Sequence, residues 1–136
     1  MNRAVISVGS NISPEKNIKA AEGILAREQD LIRVSTFIRT APVPPAHGDD
    51  YLNGAFLIET PLTKKDLEVF LKGVERRLGR KRGHARFAPR TMDLDIIVFN
   101  GAIIDDDYYK YGFVQEAVKE LLPELSMGKI PSSGPS

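Results

Sequence analysis

Apolar positions follow two rhythms along the chain, one of period two and one near 3.6, and their alternation predicts the elements. Ala4 to Val8 is a short apolar run ending in Gly9-Ser10-Asn11, which predicts a strand stopped by a turn. Ser13-Pro14 predicts a helix start, because proline suits the first helical position, where its missing N–H costs nothing. Ile18, Ala21 and Leu25 carry the apolar face of that helix to about Glu28. Leu31 to Thr40, rich in β-branched and aromatic residues, predicts a second strand. Ala41 to Asp50 contains three prolines and a glycine and reads as a stiff loop. Tyr51 to Thr60 alternates as a third strand, with Tyr51, Asn53, Ala55 and Leu57 on one face and Leu52, Phe56 and Ile58 on the other.

Thr63 is placed as an N-cap, with Asp66 complementing the helix start. Leu67, Phe70, Leu71, Val74 and Leu78 form the apolar stripe of this second helix, and Gly79 suits the position just past its end. Met92 to Phe99 predicts a fourth strand, Asn100-Gly101 is a strong hairpin signal, and Ala102 to Ile104 is a brief return strand. Asp105 to Asp107 starts a last helix, with Phe113, Ala117, Val118, Leu121 and Leu122 on its apolar side before Pro123. Residues 1–125 read as one domain and 126–136 as a flexible tail. The order β-α-β-β-α-β, with an added hairpin strand and a C-terminal helix, predicts an α+β, ferredoxin-like (split βαβ) sandwich on a mainly antiparallel sheet.

Composition narrows the chemistry. The chain has 136 residues and no cysteine, so disulfides and thiolate catalysis are excluded, and zinc would have to rely on two histidines and carboxylates. No apolar run approaches the roughly 20 residues of a membrane span, and the first residues lack a signal-peptide core. The expectation is a cytoplasmic protein, monomeric, without membrane or nucleic-acid partners. A formal net charge of +1 argues against a general nucleic-acid coat.

Against that neutral background one stretch is sharply uneven. Arg76, Arg77, Arg80, Lys81, Arg82, Arg86 and Arg90 follow one another with no acid between them, and Asp93 and Asp95 come directly after. Two residues apart on a strand, both carboxylates project from one face, and Met92, Leu94, Ile96 and Val98 are expected on the other. A carboxylate pair beside clustered guanidinium groups suits a polyphosphate with its magnesium. The acids hold a hard cation that keeps some water and bridges phosphate oxygens, and the arginines meet the remaining charge through forked hydrogen bonds.

Five segments carry a resemblance: VGSN at 8–11, FIRTAPV at 37–43, YLNGA at 51–55, ERRLGRKR at 75–82 and FAPRTMDLDIIVF at 87–99. In this order they resemble the 6-hydroxymethyl-7,8-dihydropterin pyrophosphokinase family of folate biosynthesis. The resemblance implies an α/β sandwich, two Mg2+ ions, ATP as co-substrate, and transfer of pyrophosphate to the pterin hydroxymethyl oxygen with release of AMP. It makes Asp93 and Asp95 the metal ligands and places Arg80, Arg90, Asp93 and Asp95 at the catalytic centre. Glu75, Arg80, Arg82, Arg90 and Ile96 are assigned to ATP. Thr40, Val43, Tyr51, Asn53, Phe113 and Asp93 are assigned to the pterin, with Tyr51 and Phe113 stacking on its ring and Asn53 bonding its polar edge. Phe113 reads equally well as core helix packing, and Glu75 as a surface acid. Arg76, Arg77, Lys81 and Arg86 are read as a solvated basic surface. Phe87 stands where the family usually has tryptophan.

The pattern breaks after Ile104. The family's Pro-His-x-x-x-x-x-Arg segment, whose histidine and arginine help hold the triphosphate, is replaced by a shorter DDDYYKYGF, and its arginine position falls on Tyr111. Lys110 and Tyr108 are the candidate substitutes. Two further readings therefore stand beside the enzyme: a diverged, non-catalytic relative that binds a pterin or nucleotide, and a ferredoxin-like nucleic-acid binder. The second lacks the glycine–aromatic motif that such binders use.

Overall fold

A computed structural model describes residues 1–41, 49–79 and 92–126, with backbone alone at 125 and 126. Val43, Arg80, Arg82 and Arg90, together with Lys81, Arg86, Phe87 and the tail from 127, lie outside the described residues. The elements are β1 (Asn2–Ser10), α1 (Pro14–Glu28), β2 (Asp30–Val34), β3 (Ile38–Thr40), β4 (Tyr51–Thr60), α2 (Lys64–Arg77), β5 (Asp93–Phe99), β6 (Ala102–Ile103), α3 (Asp107–Lys110), α4 (Gly112–Leu121) and α5 (Pro123–Ser126). They form an α+β protein whose single described sheet is antiparallel and runs β2-β4-β1-β5-β6, with β3 also pairing with β4.

Each face of the sheet meets helices. On one side Ile6, Val8, Phe56, Ile58, Met92 and Leu94 pack against the apolar stripes of α1 and α2. On the other, Val5, Ala55, Leu57, Ile97 and Val98 pack against Val114, Ala117, Val118 and Leu121 of α4. The cap signals act as their chemistry requires. Thr63 accepts a hydrogen bond from the Asp66 N–H at 3.1 Å. Gly79 turns at φ 100°, where a Cβ would be strained, and its N–H reaches the Arg76 carbonyl. Asn100 and Gly101 both have positive φ, as the tight hairpin requires. Arg77 pairs with Glu28 through two hydrogen bonds of 2.8 and 2.9 Å, tying the C-terminal ends of the two helices together on an exposed surface.

Four details differ from the pattern-based expectations. β1 continues through Gly9 and Ser10 instead of turning there, because Gly9 is paired on both sides, to Asn53 and to Asp93. The predicted strand 31–40 is broken into β2 and β3 around Ser35–Phe37. There the Phe37 ring lies over Gly54, so close that a Cβ at Gly54 would sit 2.6 Å from ring carbons. β5 carries a bulge opposite Val5 and Ile6, so that Ile97 and Val98 both face α4; Val98 does not share the face of Leu94 and Ile96. The expected last helix is interrupted at Tyr111, whose extended backbone separates α3 from α4.

Phe37 and Gly54 interlock as a flat ring over a bare strand position, next to the fully buried Phe56. Gly54→Ala is therefore expected to destabilise the fold by about 1–3 kcal/mol, the usual cost of forcing atoms into a filled site. Urea unfolding measures it. Wild-type stability in that variant would show that the ring moves aside freely.

Candidate active site

Register alone brings the candidate residues together. Gly9 pairs with Asn53 on one side and Asp93 on the other, and Ser7 pairs with Ala55 and Asp95. Paired residues share a face, so Asp93, Asp95 and Asn53 all project on the α4 side. The α4 cover rests on Val5, Leu57 and, in the Ser7 row, Ala55, and no residue of the Gly9 row belongs to that cluster. Asp93 and Asp95 are accordingly half-buried, while the intervening Leu94 is buried against the helices on the other face.

Gly9 is what lets the Asn53 amide lie close against β1. A Cβ on it would lie 2.8 Å from the Asn53 Oδ1 and 3.6 Å from the Tyr51 ring. Any side chain there would push the Asn53 amide aside. Asn53 donates through Nδ2 to the Thr40 Oγ1, and Thr40 itself pairs with Tyr51 in the β3–β4 ladder. Thr40, Tyr51 and Asn53 thus form one connected group. The sequence pattern assigned Gly9 to a turn; its sitting within a strand, where glycine marks close approach, is the signal for its role.

Burial, then the neighbouring Asp93 charge, pushes the Asp95 carboxyl up to about 7, with Glu75 and Asp105 adding to the rise and Lys72 opposing it. Asp107 is also raised, by burial first and then by Asp105, with Lys110 opposing. The three-aspartate segment therefore lies beside the acid pair, and its turn is closed by the Asp107 N–H donating to Asp105 Oδ1 at 2.9 Å. Among the described residues no group of three or more carboxylates or histidines converges as a complete metal cage. Two half-buried strand carboxylates suit a magnesium ion, which takes one or two protein carboxylates and completes its shell with water and substrate phosphates.

The other described candidates divide between the core and the edge of this site. Ile96 is on the opposite face, 6% exposed in the α1/α2 core, so a ligand contact by this residue falls to its backbone. Glu75 is no surface acid: it is 3% exposed, and its Oε2 accepts the Leu94 N–H at 2.7 Å. Phe113 stacks on Tyr111 at a centroid distance of 5.5 Å and 18° between planes, and both pack against the α4 core.

A carboxyl raised in the folded state binds its proton more tightly there than in the unfolded chain. Between the ordinary aspartate value (about 3.9) and about 7, stability falls as pH rises, and above that window the penalty is complete. In metal-free protein Asp95→Asn is expected to raise the thermal midpoint at pH 8 by several degrees and to leave it nearly unchanged at pH 4. Thermal unfolding in a chelating buffer checks this; equal midpoints at pH 8 would contradict it.

The chain matches the family model described as 7,8-dihydro-6-hydroxymethylpterin-pyrophosphokinase (HPPK) over residues 5–123. Three relatives carry the name 2-amino-4-hydroxy-6-hydroxymethyldihydropteridine pyrophosphokinase. The one from Pseudomonas aeruginosa is 31% identical over 138 positions, covering 93% of this chain and 85% of the relative. That from Methylorubrum extorquens is 32% identical, covering 94% and 87%. That from Bacillus subtilis is 35% identical over 109 positions, covering 78% and 65%. With a match running from β1 to the start of α5, and acids, asparagine and glycine meeting on one sheet face, the chain belongs to the 7,8-dihydro-6-hydroxymethylpterin-pyrophosphokinase family.

Proposed function

We propose that this protein transfers pyrophosphate from ATP to the hydroxymethyl group of 6-hydroxymethyl-7,8-dihydropterin, releasing AMP. The observation that carries this reading is the register at Ser7 and Gly9, which sets the Asp93–Asp95 carboxylate pair and the Asn53 amide on one face of the sheet, on either side of β1. Family membership supplies the reaction class. In the reaction the hydroxymethyl oxygen attacks the β-phosphorus and loses its proton. A new oxygen–phosphorus bond forms, and the bond to the oxygen bridging the α- and β-phosphorus breaks, so AMP leaves with that oxygen.

Asp93 and Asp95 are the residues that would hold magnesium, two ions on this reading. When bound, the metal neutralises phosphate charge and draws electron density from the phosphorus under attack. Tyr51 offers a ring face to the pterin, and Asn53, oriented by Thr40, presents donor and acceptor to its polar edge. Phe113, which stacks on Tyr111, is assigned the second face of the pterin. Val43 is assigned backbone contact with the pterin, and Arg80, Arg82 and Arg90 are assigned the phosphates. Little covalent chemistry is asked of the protein, because phosphoryl-type transfer depends mainly on position and charge. The scaffold reading that goes with this is the split βαβ sandwich, supported by β4 lying between β1 and β2, which α1 connects.

A second reading, ligand binding without turnover, is favoured by one observation. The segment after β6 brings Asp105 near Asp95 and Asp107 near Asp93, where the family resemblance calls for a histidine and an arginine. Incubating folded protein with ATP, magnesium and the pterin separates the two. AMP formation supports the enzyme, whereas calorimetric binding without AMP selects the second reading.

Two variants test the site itself. Asp93→Asn combined with Asp95→Asn is expected to lower kcat by at least about 100-fold, in line with losing preorganised charge at a transition state. Gly9→Ala should raise KM for the pterin by about 10-fold or more through displacement of Asn53, with KM for ATP changed far less. Steady-state kinetics with each substrate varied reads both, and equal effects on the two substrates would remove Gly9 from the pterin side.

A further inference from the structure

We propose that Glu75 is a positioning residue that sets the spacing and direction of Asp93 and Asp95 by holding the backbone between them. β5 is paired to β1 along one edge, but β6 covers the other edge only at Val98 and Phe99. Toward its beginning, where the two acids lie, that edge has no strand against it among the described residues. The N–H of Leu94, midway between the acids, instead donates to Glu75 Oε2 at 2.7 Å. A charged acceptor makes this stronger than an ordinary ladder bond.

The placement is unusual for a carboxylate. Glu75 lies on α2 next to Val74 and four residues after Leu71, both buried, and is itself 3% exposed. Burying an ionised group is costly unless it is bonded, and its other oxygen, Oε1, lies 3.7 Å from Lys72 Nζ. The carboxylate is thus held from the helix side and in turn holds the strand. A rigid element carries its rotation directly to the side chains on either side of Leu94, so a slack bond there turns both acids at once. Outer residues that orient ligating groups typically matter by about 10- to 100-fold in metal affinity or activity.

The inference rests on the reading of Asp93 and Asp95 as the metal-holding pair. Glu75→Gln keeps an oxygen that accepts the Leu94 N–H, while Glu75→Met keeps similar bulk without that acceptor. Binding of Mn2+ in the presence of a non-hydrolysable ATP analogue is measured by electron paramagnetic resonance, alongside kcat and both KM values. The Gln variant should stay within about 3-fold of wild type, and the Met variant should lose about 10- to 100-fold in Mn2+ affinity and kcat with KM for the pterin nearly unchanged. A Gln variant as weak as the Met variant would mean that the charge itself is needed, and would overturn the proposal. So would a Met variant with wild-type properties.

Should the Met variant not fold, hydrogen exchange in the wild-type protein decides. Leu94 N–H should be protected both before and after magnesium and the analogue are added, and loss of protection on binding would show Glu75 leaving the strand for the ligand, overturning the proposal. Asp95→Asn serves as the control for the underlying reading. If it retains full Mn2+ affinity and turnover, the metal assignment fails and takes this inference with it; if it loses them while the Met variant does not, only the role of Glu75 fails.

Discussion

β1 has neighbours on both edges, β4 and β5, so its nine residues can face only up or down, and both faces need cover. α1 and α2 together bury the face that carries Ala4, Ile6 and Val8. The opposite face is covered chiefly by α4, ten residues long and therefore about 15 Å from end to end. That reach takes in Val5, Leu57 and Val98 but stops short of the Gly9 row. The end it leaves is where polar side chains are tolerated, and where Asn53, Asp93 and Asp95 sit. The site follows from unequal cover of a two-faced sheet.

Charge at that end works against the fold that presents it. Asp95 is pushed toward neutrality first by burial and then by Asp93, and Glu75 and Asp105 add to the same repulsion. Nothing in the packing calls for acids here, since Ser7 and Ala55 in the neighbouring strands show that small neutral groups fit the row. Stability given up at one place beside the well-buried central strands β1 and β4 is the usual mark of a site built for a ligand. A divalent cation would remove the repulsion, so the same feature that weakens the metal-free protein favours binding.

Much of this was legible from residue spacing because it rests on period two. Two-residue separation put Asp93 and Asp95 on one face, and the alternation of Tyr51 to Thr60 separated Ala55 and Leu57 from Phe56 and Ile58 as observed. Local chemistry was equally readable at Thr63, Gly79 and Asn100-Gly101, where one side chain or one positive φ decides the conformation. What the pattern missed depends on partners distant in sequence. The bulge that turns Val98 toward α4 exists only against Val5 and Ile6 of β1. Gly9 looked like a turn because its meaning comes from Asn53, far along the chain. Glu75 looked like a surface acid because the N–H that it satisfies belongs to Leu94 on another element. The family resemblance supplied residue roles that spacing could not, and Arg80, Arg82, Arg90 and Val43 lie outside the described residues.

The cations near the acid cluster bear on how a triphosphate would be held. Lys72 approaches Glu75, and Lys110 offsets the negative surroundings of Asp107, so each already answers an acid of this chain. Arg77 is engaged with Glu28, away from β5, and Arg39 with Glu15. Charge neutralised within the protein is less available to a ligand, because a cation shared between an acid and a phosphate must loosen one contact to strengthen the other. With the histidine and arginine expected after β6 replaced by aspartates and tyrosines, the proposed reaction places the burden on the basic run from Arg80 to Arg90. That run holds five Lys or Arg residues without an intervening acid, directly ahead in sequence of the strand that bears Asp93 and Asp95. On the proposed reading, the phosphates rely on the arginines that precede β5 in sequence, without the histidine and arginine that the resemblance expects after β6.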